Sequence, residues 1–140
     1  MSYELDVPTG LDKTRAIAVL REGGHWWIAY RGLVRSNLTG NVFRLRKNFS
    51  GEAMADLPWV LVLSMKGEFV RVSQVLYSKY VYEQSLSNNW SYGRWEHIAS
   101  LISCMRNVLK EPLHFLAKLQ LINRVSLTLV LYFHGIALFL

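Results

Sequence analysis

Three aspartates are all this chain carries, at Asp6, Asp12 and Asp56. Asp56 stands apart because it heads the apolar run "DLPWVLVLSMK". A carboxylate there can cap a helix by accepting its first backbone N–H groups. It can equally act as a base, since a carboxylate fixed at the buried mouth of a helix is oriented to take a proton from a hydroxyl. The other reactive side chains form no pattern. His25, His97, His114 and His134 are scattered, and Cys104 is the only cysteine, so a disulfide framework and a Cys-based zinc site are excluded. There is no G-x-G-x-x-G, P-loop or H-E-x-x-H, and no nucleophile elbow supports a Ser-His-Asp arrangement.

The elements that would position these residues follow from pattern. Gly10 to Glu22 reads as a helix, capped by Asp12 and stopped by Gly23-Gly24. "HWWIAYRGLV", residues 25 to 34, reads as a buried strand. "RLRKNFSG" is a basic loop after a short helix or turn at 36 to 41. Met54 to Lys66 fits a buried helix or a buried strand by periodicity. Its length, Pro58 near its start and Gly67 after Lys66 favour helix. "EFVRVSQVLYSKYVY" alternates and reads as one or two strands. Beyond the loop "EQSLSNNWS", Ser91 can cap a helix from Tyr92 to Leu109, with Trp95, Ile98, Ile102, Met105 and Leu109 on one apolar stripe. Pro112 can open a last helix that grows steadily more apolar. Its uncharged end, Val125 to Leu140, is 16 residues long. That is short of the roughly 18 to 20 that span a bilayer.

The 140 residues are enough for one domain with its own core, and 51% hydrophobic content argues against disorder. A net charge of +6 suits an anionic partner: a membrane surface, a nucleic acid or a phosphorylated ligand. "MSYELDVPTGLDKTR" lacks the apolar core of a signal peptide. The expected location is therefore cytoplasmic, or peripheral at the inner face of a membrane, and the sequons at Asn37, Asn48 and Asn89 read as chance.

Three segments in order carry a resemblance. They are "IAYRGLVRSNL", "GEAMADLPWVLVLSMKGEFVRV" and "QVLYSKYVYEQSLSNNW". Together, residues 25 to 87 resemble the C-terminal half of an inverting family-two glycosyltransferase of the GT-A fold. The resemblance implies an α/β class, here an α+β fragment with few strands plus two long C-terminal helices. It implies a catalytic and acceptor-side portion at 1–90 and a helical extension with an apolar tail at 91–140. It also implies transfer of a sugar, with inversion, from a nucleotide sugar to a saccharide or lipid-linked hydroxyl, with Asp56 as base. His25, Trp27, Arg46 and Trp59 would lie on the acceptor side, where aromatic rings stack on sugar faces. Lys79 and Ser85 are the candidates for diphosphate contact. The complete family uses a divalent metal, Mg or Mn, held by an Asp-x-Asp that this chain lacks, along with the nucleotide-binding half. Ala55 stands where an acidic neighbour is common, and Tyr82 where a histidine often stands. The implied enzyme is thus incomplete, with a missing N-terminal half as a possible partner.

The alternative is a non-catalytic protein of a membrane surface or of a protein partner, resting on the positive charge and on residues 125 to 140. Arg44, Arg46 and Lys47 form only a small basic loop, and no nucleic-acid motif accompanies them.

Overall fold

The computed structural model describes residues 12–21, 33–34, 45, 47–49, 51–70 and 92–133. They form four helices: α1 (Asp12–Arg21), α2 (Asp56–Lys66), α3 (Arg94–Lys110) and α4 (Phe115–Phe133). Pro58 sits in the first turn of α2, where its missing N–H costs nothing. At the far end, the Gly67 N–H closes on the Leu63 carbonyl at 3.0 Å. Gly67 is extended there, with φ −161°, so this helix stop does not depend on glycine's conformational freedom. The N-cap of α3 is Gly93 and carries no side-chain cap bond; the expected cap, Ser91, lies outside the described residues, as does the Asp12 side chain.

The main contacts run from α1 to α2, α2 to α3, α3 to α4 and back from α4 to α1. This ring encloses one core. Ala16 and Val19 come from α1, Val60 and Leu61 from α2, Leu101, Cys104 and Val108 from α3, and Leu121 and Val125 from α4. Every residue from Val60 to Met65 is buried, so α2 is covered on all sides rather than along one stripe.

That enclosure overturns the α/β expectation. Among the described residues there is no strand; the one β-type pairing is an isolated bridge between Asn48 and Gly51. A helix of a GT-A domain lays one face on a sheet. Here α1 and α3 cover α2, and the apolar run is satisfied by helix-on-helix packing. The fold of the described residues is all-helical, so it is not a portion of a GT-A domain. Most of the two strand-like segments, 25–34 and 68–82, lies outside the described residues, and the described ends, Leu33–Val34 and Glu68–Val70, carry no strand.

Polar contacts lock the helices in register. Arg15 of α1 is buried and donates from Nε to the Ser64 carbonyl of α2 at 2.9 Å. Ser100 and Asn107 of α3 donate to the carbonyls of Met54 at 3.1 Å and Pro58 at 3.3 Å. Lys66 and Glu111 pair at 2.9 Å where α2 and α3 end. Lys118 of α4 donates to the Leu109 carbonyl at 3.0 Å, satisfying an acceptor in the last turn of α3.

Candidate functional site

Asp56 is the first residue of α2, with Ala55 at the N-cap. Its Oδ1 accepts the Leu57 N–H at 3.0 Å, and its negative charge faces the helix N-terminus, a favourable place for an anion. The backbone just before it is shaped by a tight turn. Asn48 and Gly51 exchange both of their backbone hydrogen bonds, at 2.8 and 3.1 Å, and the Asn48 side chain donates to the Ala53 carbonyl. Gly51 (φ 87°) and Met54 (φ 52°) both occupy the left-handed region. Through Ser100 and Asn107, α3 then grips the backbone on either side of Asp56. The carboxylate is therefore half-buried, held, and bonded to its own helix.

Trp59, read as an acceptor-side aromatic, packs partly buried against the helical core. His25, Trp27, Arg46, Lys79 and Ser85 lie outside the described residues. The structure thus places two of the seven site residues expected from the sequence, both in α2. Among the described residues, no group of three or more His, Cys, Asp or Glu gathers to hold a metal ion. The described side chains therefore do not fit the Mg or Mn that the resemblance implies.

Among the described residues, two titratable groups are displaced from their ordinary values. Burial pushes the imidazole of His97 down, against an opposing pull from Glu96. Its ring meets Tyr92 edge-on, with centroids 6.3 Å apart. Burial also raises the thiol of Cys104, which has no exposed surface and is an inert part of the core.

The distinctive surface is on α3 and α4. The stripe expected on α3 splits in two. Ile98, Leu101, Cys104 and Val108 are buried, while Trp95, Ile102 and Leu109 point outward, Trp95 being 72% exposed. Those three are spaced by seven residues, two helical turns, which sets them in one line. Arg106 and Lys110, exposed too, follow on neighbouring turns. The same division holds on α4. Leu121 and Val125 are fully buried, while Phe115, Leu116, Leu119, Leu127, Val130 and Phe133 are 49–71% exposed. One side of α4 is in the core and the other is open and mostly apolar, with Gln120 and Asn123 exposed among its apolar side chains. The seven-residue recurrence of Trp95, Ile102 and Leu109 was the sequence signal for this surface.

Among the described residues, no helix is long and apolar enough to cross a membrane. No family model, no curated protein and no solved structure matches this chain.

Proposed function

We propose that this chain is a non-catalytic protein that docks peripherally on an anionic membrane surface, with the open side of α4 as its apolar contact. One observation carries the reading: α4 commits one face to the core and leaves a second apolar face in water. A helix that is hydrophobic all round is ordinarily enclosed or in contact with lipid. Charge supplies the choice of surface. Residues 92 to 133 hold Arg94, Arg106, Lys110, Lys118 and Arg124 against Glu96 and Glu111, and the whole chain carries +6. Apolar side chains beside cations suit a helix lying in the headgroup layer of anionic lipid. Glycosyl transfer is not carried into this reading, which rests on the open side of α4 and on charge and not on Asp56.

Co-flotation with vesicles tests the proposal. The chain is expected to float with phosphatidylcholine vesicles containing phosphatidylserine and to stay behind with phosphatidylcholine alone. Added salt should weaken the association. A chain that remains at the bottom with anionic vesicles refutes it.

A further inference from the structure

Arg124 precedes the fully buried Val125 on α4 and lies one turn before Thr128, whose hydroxyl donates to the Arg124 carbonyl at 3.1 Å. The Arg124 side chain has a different environment. It is half-buried, and its Nε is the one buried side-chain nitrogen or oxygen without a hydrogen-bond partner among the described residues. A guanidinium is a planar fork of N–H donors with no acceptor, so an acceptor must come from outside the side chain. α4 contains no acidic residue. Glu111, at the end of α3, is paired with Lys66. An incompletely satisfied, charged, part-buried group calls for a counter-ion.

Its position indicates which one. Arg124 sits at the edge between the buried line of Leu121 and Val125 and the open side that carries Leu127. From such an edge an arginine keeps its stem and Nε along apolar surface and can present its two terminal nitrogens at the rim. If the open side rests in a headgroup layer, the rim lies at the depth of the lipid phosphates. A guanidinium fork matches phosphate oxygens two at a time.

We infer that Arg124 is a phosphate contact: it binds the headgroup phosphate of an anionic lipid when α4 docks. This rests on the membrane reading above and assigns it a recognition residue. The experiment measures partitioning of the full chain onto phosphatidylcholine vesicles with and without phosphatidylglycerol, for wild type, Arg124→Gln, Arg124→Lys and Arg124→Met. Thermal midpoints are followed in parallel, in sodium phosphate and in sodium chloride of equal ionic strength. Arg124→Gln should weaken binding to anionic vesicles roughly fivefold to tenfold, the worth of one cation at a lipid surface with its hydrogen bonds. Arg124→Lys should recover part of that loss, by charge without the fork. The Gln and Met variants should melt no lower than wild type, since they remove an unsatisfied buried donor.

Equal vesicle affinity in wild type and Arg124→Gln overturns the inference and leaves membrane docking standing. A lower midpoint for Arg124→Met overturns it too, by making Arg124 a structural residue. So does a phosphate-specific rise in midpoint, seen only in wild type, with vesicle affinity unchanged; that result assigns Arg124 to a soluble anion. Failure of the wild type to bind any vesicle refutes the membrane reading itself.

Discussion

Changing Leu119 and Leu127 together to glutamate removes apolar contact from the open side of α4 without touching its buried side. Leu119 is 52% exposed and Leu127 49%, so about half of each side chain is still available to be covered. Fully burying a leucine contributes about 1.5–3 kcal/mol, so each should contribute about 1 kcal/mol on docking. The two carboxylates add repulsion from an anionic surface, of the same order as the attraction of a basic side chain, about 1 kcal/mol each. The total, about 4 kcal/mol, corresponds to a loss of roughly three orders of magnitude in partitioning. Leucine and glutamate have similar helix propensity, so the helix itself is not disfavoured, but losing the half of each side chain that already packs should cost about 1 kcal/mol of folding stability. The assay is co-flotation with vesicles containing phosphatidylserine, alongside urea unfolding to confirm the fold. The double variant should still unfold cooperatively, at a lower urea midpoint, and no longer float. A variant that is fully folded and floats as wild type does would show that the open side of α4 is not the docking face.

Three further outcomes test the fold. Leu61→Ala empties a fully buried position of α2 and should destabilise the chain by about 2–5 kcal/mol, read as a lower urea midpoint. Gly51→Ala meets no steric neighbour, but at φ +87° the left-handed backbone alone should cost about 1–2 kcal/mol; an unchanged midpoint would contradict the turn before Asp56. Burial lowers the folded-state pKa of His97 below its ordinary value of 6.5, so below pH 6.5 the unfolded chain takes up the proton first. Stability should therefore hold near neutral pH, fall as the pH drops through 6.5, and level off below the folded-state pKa. Arg106, which is exposed, is a control position, whereas His97→Gln should flatten that part of the profile of denaturation midpoint against pH.

Several boundaries were legible in the sequence because they are set by local chemistry. Pro58 and Lys66-Gly67 bracket α2, Gly23 follows α1, and Pro112 separates the last two helices, all within a few residues of the observed ends. The choice between helix and strand for 54–66 also followed from length and proline placement. The partner of that helix did not. A continuous apolar run is equally satisfied by a sheet or by surrounding helices, because burial depends on area removed from water and not on what removes it. A resemblance built on such runs could therefore supply a sheet where the described chain has α1 and α3 against α2.

The two faces of α3 and α4 show the same division. Composition made both helices apolar and the chain basic, and the spacing of Trp95, Ile102 and Leu109 put them in one line. Only packing decided that this line faces water while Ile98, Leu101, Cys104 and Val108 face the core. A helix with more apolar positions than one neighbour can cover has several possible rotations, and contacts across the ring select one. The same selection left the Nε of Arg124 buried without a partner. The sequence by itself determined where the helices begin and end and the sign of the surface charge, since these follow from residue type and near neighbours. The tertiary structure decided which apolar faces remain open and which polar atoms lack partners, because those depend on contacts between residues far apart in the chain.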